Sequence, residues 1–566
     1  MSSQFGTADN RPREAIMTRR RTVEALTLAI MLGAGASGAW GHGENDTPRG
    51  TPPEKLGKVD FPVSCNAAAQ EEFNRAMALF HSFWFDPAKK SFSKVLQHDP
   101  ECGMAHWGIA IMSMGNPFAW PPNPAALKAG ASAMAEAKRV GAKSERERAY
   151  IRALAAFFED WETTEHRPRA VAFEKAMEGV AAQYPQDVEA RILYALVLNI
   201  TALPTDKTFA NQLKAAGILE PLFQQYPDHP GVAHYLIHTY DYAPLAEKGL
   251  PAARAYAGIA PSVPHALHMP SHLFSRVGLW REMVEGNRAS YAAAKNELTE
   301  KTLDIGTYDA LHAMDYMVFG HLQQAQDKAA KRLLDEAAAI RKVNVENFVA
   351  AYAFAAIPAR FALERGDWKR AAALELSPAG LSWSKFPQAE AILVFARGLG
   401  AARSGDVAAA HRDAERLRAL KEAMTSAKIG YWAGQADFQI KTVDAWIAFA
   451  EKRHDDAVQS MRAAAEAEEA SDKHPVTPGN VVPSRELLGE MLLALNQPEQ
   501  ALAEFKRSLK RDPNRFRGIS GAARAAEASG NLPAARDYYA KLQTLTADRD
   551  TERQELAAAK AFLTGH

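Results

Sequence analysis

Residues 484–514, SRELLGEMLLALNQPEQALAEFKRSLKRDPN, contain a pattern that returns further along the chain. Ala501 and Phe505 are followed 34 residues later by Ala535 and Tyr539. A period of this length is typical of a helix-turn-helix repeat. The small alanine allows two helices to approach closely, and the aromatic ring fills the space beside it. The pattern therefore predicts stacked helical hairpins at this end of the chain.

The same frame is present near the other end of the chain, in Ala88, Phe92 and Pro100. Between the two ends, glycines followed within two residues by a bulky apolar residue recur at Gly278, Gly320, Gly366 and Gly405. Each of these glycines is predicted to form a turn that ends one helix before the next begins. Because the intervals between them vary, the central repeats are predicted to be degenerate. Strand patterns are almost absent.

The alanine, aromatic and proline positions at both ends of the chain resemble those of the tetratricopeptide (TPR) repeat family. The central block contains His-Tyr-Leu-Ile-His at 234–238 and His-Ala-Leu-His-Met-Pro-Ser-His at 265–272. It is similar to a group of exported bacterial repeat proteins. The resemblance implies an all-α, TPR-like solenoid of helical hairpins, wound as a right-handed superhelix with degenerate central repeats. It also implies a concave groove that binds a protein or peptide ligand.

The composition is that of a globular protein with a balanced charge. Of the 566 residues, 47% are hydrophobic and 24% are charged, and 67 Lys and Arg residues balance 67 Asp and Glu residues. Because these charges cancel, the chain has no general electrostatic attraction for nucleic acid or for an anionic membrane surface. We therefore expect neither as its main partner.

The first residues have the pattern of an export signal. Arg19–Arg21 precede the apolar run Leu26–Leu32, and Ala39–Gly41 provide a small-x-small cleavage site. We predict a signal peptide at residues 1–41, with Met17 as an alternative start, and a periplasmic or secreted mature protein. No later run of about 18 apolar residues is present, so the sequence predicts no transmembrane anchor.

The remainder of the chain divides at breaks in the helical pattern. We predict a flexible mature N-terminus at 42–64, a degenerate helical array with a histidine-rich centre at 65–473, a connection at 474–483, and C-terminal TPR repeats at 484–566. Residues 116–124, NPFAWPPNP, are predicted to be an ordered loop, because proline lacks an amide donor and restricts the residue before it. Packing of this loop against its own repeat is favoured over a binding role.

The chain has two cysteines, Cys65 and Cys102. They are not in a Cys-x-x-Cys pair, which excludes a zinc ribbon and a thioredoxin-like motif. Each lies just before the predicted first helix of consecutive repeats, where helix starts come close together. A disulfide between them and two unpaired thiols both remain open.

Two pairs of histidines occupy equivalent positions in consecutive repeats. His234 and His238 are four residues apart, as are His268 and His272, and the two pairs are 34 residues apart. Residues at i and i+4 share one face of a helix. In the family that the sequence resembles, this face lines the concave groove, so the four imidazoles are predicted to point into one region. Imidazole is a common ligand of zinc and copper, which makes these residues candidate metal ligands.

Neighbouring polar residues are second-tier candidates that could complete or orient such a site, namely Asp241, His265, Asp309, His312 and Asp315. Three interpretations remain open: a hydrogen-bonded structural network, a metal site and a catalytic site. No His-Glu-x-x-His motif, Gly-x-Ser-x-Gly elbow or Walker-type loop is present, so no catalytic residue is assigned. We predict an exported binding or scaffolding module, with a transition-metal-binding protein, with or without hydrolase activity, as the alternative.

Overall fold

The computed structural model describes residues 54–296 and 304–565. The predicted signal peptide at 1–41 lies outside these residues. The described chain is almost entirely helical, and its strands are a two-residue parallel pair, β1 (Ile305–Gly306) and β2 (Lys342–Val343). The predicted all-α fold is confirmed. None of the helices in the described part of the chain combines the length and apolar character needed to cross a membrane.

The helices follow one another along the chain, and the longer connections between them include residues 373–386 and 470–483. The first eight are α1 (Ala67–His81), α2 (Phe85–His98), α3 (Gly103–Ser113), α4 (Pro124–Val140), α5 (Glu145–Phe158), α6 (His166–Gln183), α7 (Val188–Thr201) and α8 (Ala210–Gln225). The central helices are α9 (Pro230–Tyr240), α10 (Leu250–Ile259), α11 (Pro264–His268), α12 (Pro270–Val277), α13 (Trp280–Asn296), α14 (Tyr308–Gln323), α15 (Asp327–Ala339) and α16 (Phe348–Leu363). The last are α17 (Trp368–Ala372), α18 (Pro387–Ser404), α19 (Val407–Ser426), α20 (Gly430–Ala450), α21 (His454–Glu469), α22 (Ser484–Ala494), α23 (Pro498–Arg511), α24 (Phe516–Ala528), α25 (Leu532–Leu545) and α26 (Gln554–Gly565).

Consecutive helices pack as hairpins, such as α1 on α2, α18 on α19 and α24 on α25. Local sequence defines where they start. The Asn66 side chain accepts a hydrogen bond from the amide of Ala69 at the start of α1, and Ser144 and Glu147 form a reciprocal capping box at the start of α5. Such caps satisfy amides that have no partner within the helix.

Three of the predicted turn glycines end helices as expected, because Gly366 also lies in the turn between α16 and α17, with φ of 64°. Gly278 and Gly405 follow α12 and α18 with φ of 72° and 93°, a conformation that favours glycine. The turn predicted at Gly320 is wrong, because this residue lies inside α14. A Cβ atom at Gly320 would lie 2.7 Å from Val284 Cγ2, so the glycine permits the close approach of α13 and α14.

The alanine and aromatic positions of residues 484–514 pack as their spacing predicts. Ala501 and Phe505 are fully buried. The Phe505 ring fills the space above Gly521 of α24, where an added Cβ atom would lie 2.3 Å from the ring. The aromatic position therefore packs into the next hairpin, which is how consecutive repeats are joined.

The two ends of the described array pack against its centre. Helix α1 contacts α9, and α14 contacts α24. The Arg515 guanidinium, buried between α22 and α16, pairs with Glu486 and Glu364. The amide of Phe516 donates to Gln323 Oε1 at 2.9 Å. These contacts dock the C-terminal repeats directly on the central ones.

The predicted connection at 474–483 packs on the central helices. The Tyr316 hydroxyl donates to the Pro475 carbonyl at 3.1 Å. The Arg360 guanidinium donates to Thr477 Oγ1 at 2.8 Å and pairs with Asp315 at 2.7 Å, fully buried between α14 and α16. The connection is therefore part of the packed core around the histidine-rich block.

Cys65 and Cys102 form a disulfide with 5.3 Å between their Cα atoms, and it joins the start of α1 to the start of α3. The bridge closes a segment of 37 residues. Loop-closure entropy predicts that replacing both cysteines with serine lowers the free energy of unfolding of these repeats by about 3–4 kcal/mol. Urea denaturation followed by circular dichroism measures this. Identical unfolding curves for the oxidised wild type and the double variant would contradict the expected effect.

Candidate metal centre

The histidine-rich block is built from four helices at the centre of the array, of which α9, α11 and α12 are short and α14 has 16 residues. Helix α9 provides His234 and His238, and α11, α12 and α14 provide the others. Proline stands at the first position of α9, α11 and α12, where its missing amide costs nothing. Pro270 divides α11 from α12, so His268 ends one helix and His272 lies in the next, yet their Nε2 atoms are 3.1 Å apart.

The first histidine triad consists of His234, His238 and His265. Each offers one ring nitrogen, and the three nitrogens lie within 4.8 Å of one another. The Nε2 atoms of all three are buried and have no hydrogen-bond partner among the described residues. His234 Nδ1 donates to the backbone carbonyl of His81 at 2.6 Å, so its Nε2 carries a lone pair.

The second histidine triad consists of His268, His272 and His312, whose ligand nitrogens also lie within 4.8 Å of one another. The ring centroids of His268 and His312 are 4.4 Å apart. His268 and His272 are buried, and His312 is partly exposed. The block thus contains two groups of three imidazoles.

Hydrogen bonds fix the tautomers of His268 and His272. Asn287 donates its amide hydrogen to the Met283 carbonyl at 2.7 Å, so its Oδ1 atom faces His268 Nδ1 and accepts a hydrogen bond there at 2.7 Å. His272 Nδ1 donates to Asp241 Oδ2 at 3.1 Å. Both Nε2 atoms therefore carry lone pairs, and these face each other across 3.1 Å. Two facing lone pairs repel unless a proton or a metal ion lies between them.

Burial keeps the imidazoles neutral. Desolvation lowers the pKa of all six triad histidines, and it lowers the pKa of His268 to about 3. Neighbouring imidazoles add to this effect for five of the rings, and Lys473 and Arg276 add to it for His272. Neutral imidazole is the form that binds metal ions. The triads are thus in a ligating state near neutral pH.

Asp241 links the second triad to two cations. Its carboxylate accepts from Arg276 Nε at 2.8 Å, from Lys473 Nζ at 3.1 Å, and from His272. Although burial opposes ionisation, Lys473 and Arg276 hold the pKa of Asp241 well below its usual range. Burial lowers the pKa of Lys473 to about 8. Because its oxygens are already engaged, Asp241 orients His272 and is not a free ligand.

Aromatic side chains pack around the triads. The Phe118 ring stacks on His238 with 3.7 Å between centroids, and the Phe83 ring lies edge-on to His234 at 4.4 Å. Tyr316 packs against His268 at 4.6 Å. These rings hold the imidazoles in place and exclude water from the ring faces.

A third buried group, His81 with Glu189 and His229, has a different character. The Nε2 atoms of both histidines lie 2.9 Å from the Glu189 oxygens, and the Tyr235 hydroxyl donates to His81 Nδ1 at 3.0 Å. The carboxylate thus accepts from both rings. This group is a hydrogen-bonded network that positions His81, whose carbonyl orients His234.

The structure brings together the four histidines singled out in the sequence but divides them between two triads. His265 and His312, second-tier candidates, each complete one triad, and Asp241 orients a ring as expected for an outer partner. Asp309 belongs to neither triad. Asp315 also belongs to neither triad, and its carboxylate pairs with buried Arg360.

Sequence reasoning missed the side chains that come from distant repeats. The loop at 116–124 packs on the central block through Phe118, not only on its own repeat. Phe83, Asn287 and Lys473 were also missed. Nothing in the spacing of Lys473 indicates its contact with Asp241.

Residues 482–515 match the family model for the tetratricopeptide repeat. The chain contains a TPR repeat. Its position agrees with the frame of 484–514, and together with the helical array it makes this a TPR-containing helical repeat protein. No curated protein sequence matches the chain.

Solved structures with a similar arrangement of helices include two of IFIT1. "Human IFIT1 dimer with PPP-AAAA" is 11% identical, covers 79% of this chain and 91% of that chain, and has a TM-score of 0.36. A monomeric IFIT1 mutant with Gppp-AAAA is 12% identical, covers 85% of this chain and 96% of that chain, and has a TM-score of 0.33.

Acid is expected to destabilise the metal-free protein. The triad histidines have a lowered pKa when folded, whereas in the unfolded chain the pKa is about 6.5. Below that pH the unfolded state binds more protons, so the free energy of unfolding falls as the pH falls. We expect a loss on the order of 5 kcal/mol between about pH 7.5 and about pH 5.5. Urea titrations of chelator-treated protein measure it, and a flat profile would contradict the burial of these rings.

Proposed function

We propose that this TPR-containing protein binds transition-metal ions, zinc or copper, through its two histidine triads. The observation that supports this best is the convergence of ring nitrogens carrying lone pairs. The Nε2 atoms of His268 and His272 face each other at 3.1 Å with both Nδ1 atoms already donating. In the first triad, one ring nitrogen of each histidine lies within 4.8 Å of the other two, and all three Nε2 atoms are buried and lack a hydrogen-bond partner within the described ranges.

A purely structural network accounts poorly for these nitrogens. A buried polar atom without a partner costs about 1–3 kcal/mol, and native proteins rarely place several together. In the third group, by contrast, Glu189 accepts a hydrogen bond from the Nε2 atoms of both His81 and His229, and the Nδ1 atom of His229 is the ring nitrogen of this group that lacks a partner among the described residues. With metal–nitrogen bonds of about 2.0–2.1 Å in a tetrahedral arrangement, ligand nitrogens lie roughly 3.4 Å apart. The spacing of His268 and His272 is close to that value.

The surrounding hydrogen bonds support the same proposal. Metal-binding histidines generally donate their other ring N–H to a carbonyl or carboxylate, which fixes the ring and raises its basicity. His234 donates to a backbone carbonyl, His268 to an amide oxygen and His272 to Asp241. Three of the six rings therefore have the outer partners expected of ligands.

The proposal is tested by removing metal with a chelator, adding back zinc or copper, and measuring bound metal by mass spectrometry. We expect about two equivalents per chain, one for each three-nitrogen site. Because an ion that binds only the folded state stabilises it by mass action, chelation should lower the melting temperature. His229→Gln is the matched control, since it alters a buried histidine outside both triads and retains a donor to Glu189. Protein that takes up no metal after reconstitution, and melts alike with and without chelator, would disprove the proposal.

A second candidate function is protein or peptide binding, favoured by the TPR repeat at 482–515. The TPR fold commonly presents surfaces to partners. At the triads, Phe118 stacks on His238 and the Pro475 carbonyl accepts a hydrogen bond from Tyr316, so the chain itself packs over this region and a partner would bind elsewhere on the array. Crosslinking in intact cells tests this, and crosslinks from one partner concentrated in 484–565 would support it. Crosslinks spread evenly over many abundant proteins would count against it.

We further propose that the mature protein is exported to the periplasm or secreted. The pattern at 1–41 and the Cys65–Cys102 disulfide support this, because disulfides persist in oxidising compartments. N-terminal sequencing of protein from the envelope fraction tests it, and a mature start near His42 is expected. An intact N-terminus in a cytoplasmic fraction would refute export.

A further inference from the structure

We infer that the two triads form a single dicopper centre that binds dioxygen. This inference rests on the proposed metal binding and adds the identity of the metal and its ligand. It draws on the contact between the triads, on the charge of the ligand set, and on the side chains that control access.

The two triads are adjacent. The ring centroids of His238 and His272 are 6.0 Å apart, and those of His265 and His268 are 6.3 Å apart. His265 and His268 lie three residues apart on α11, so this one short helix provides a ligand to each triad. Two ions held in this way occupy neighbouring sites, and one small ligand can contact both.

The charge of the site favours singly charged ions. All six ligands are neutral imidazoles, so two zinc ions would place four positive charges in a buried site. The carboxylate that contacts a triad, Asp241, already pairs with both Arg276 and Lys473. Uncompensated buried charge is costly. Two copper(I) ions carry half the charge of two zinc ions, and copper(I) accepts three nitrogen ligands without a fourth.

Access to the centre is restricted. Phe83 is buried against His234, Phe118 covers His238, and Tyr316 packs on the rings of the second triad. His265 and His312 are the partly exposed members of the two triads. A small uncharged molecule can pass such packed rings, whereas a peptide or an ester substrate would displace them. Dioxygen is both small and uncharged.

In the proposed step, the two copper ions supply the two electrons that dioxygen accepts. Each copper(I) gives one electron and becomes copper(II), and dioxygen accepts both electrons and becomes peroxide with its O–O bond retained. No proton is gained or lost. Two copper(II) ions and one peroxide dianion carry the same total charge as two copper(I) ions, so the step adds no net charge to the buried site.

The experiment starts from metal-free protein loaded with copper(I) under argon. Air-saturated buffer is then added, and dioxygen uptake, the near-ultraviolet absorption and the electron paramagnetic resonance signal are recorded. We expect uptake of one dioxygen molecule per pair of copper ions, a new charge-transfer band, and a weak resonance signal because the two copper(II) ions are coupled. His265→Ala and His312→Ala should each retain one copper and lose dioxygen uptake, whereas His229→Gln should behave as the wild type.

The outcomes separate this inference from the proposed function. Two bound copper ions that oxidise independently and give full resonance intensity would overturn the dicopper centre while leaving metal binding intact. Binding of zinc with no retention of copper(I) would do the same. Failure to bind either metal would overturn both.

Discussion

Replacing His268 with alanine is expected to empty the second triad. The ring provides one of three ligand nitrogens, and its Nε2 atom lies 3.1 Å from that of His272. Loss of an outer hydrogen-bond partner alone typically weakens metal affinity 10–100-fold, so loss of the ligand itself should weaken it by at least about 100-fold. The first triad should keep its ion. Competition titration with a chromophoric chelator, together with metal analysis, should therefore show a fall from two bound ions to one.

Two further variants separate ligation from folding. His229→Gln should keep both ions, because His229 belongs to the Glu189 network. Asn287→Leu keeps all six imidazoles but removes the acceptor for His268 Nδ1, so it should weaken binding at the second triad about 10–100-fold. If His268→Ala is folded by circular dichroism and still binds two ions with wild-type affinity, the assignment of the second triad is wrong.

Replacing Arg515 with methionine is expected to destabilise the protein by about 3–5 kcal/mol, the usual effect of breaking a buried ion pair by removing one partner. Arg515 is fully buried and pairs with both Glu364 and Glu486. Its removal leaves Glu364 without its ion-pair partner and Glu486 with only the more distant Arg517, at 3.9 Å. Burial of the Glu486 carboxyl and repulsion from Glu364 already raise the pKa of Glu486 to about 7. Urea denaturation measures the change.

Arg507→Met is the matched control for Arg515→Met. Arg507 pairs with Glu469, but about half of its side chain is exposed, so its loss should cost at most about 1 kcal/mol. A small effect at both positions would contradict the docking of the C-terminal repeats on α16. A large effect at Arg515 alone would support it.

The fold could be predicted because the repeat pattern that specifies it lies within short stretches of sequence. The interval from Ala501 and Phe505 to Ala535 and Tyr539 predicts a pair of helices directly. All four residues are buried in the structure. Gly320 shows the limit of such patterns. A glycine serves equally at a turn and at a close helix contact, and only the neighbouring helix reveals which applies.

The site could be predicted only in part, for the same reason. Helical spacing places His234 with His238 and points to the block around His268. It cannot show that His81 contacts His234 from 153 residues away, or that Lys473 reaches Asp241 across 232 residues. These contacts depend on how the array folds back on itself, which is a property of the packing between repeats.

Two metal ions are proposed to occupy the two triads, one in each. Diffraction from crystals of reconstituted protein, recorded on both sides of the metal absorption edge, tests this most directly. We predict two anomalous peaks, each about 2.0–2.1 Å from ring nitrogens of one triad. Crystals of the reconstituted protein that show no anomalous peak at either triad, or a peak only beside Glu189, would contradict the account.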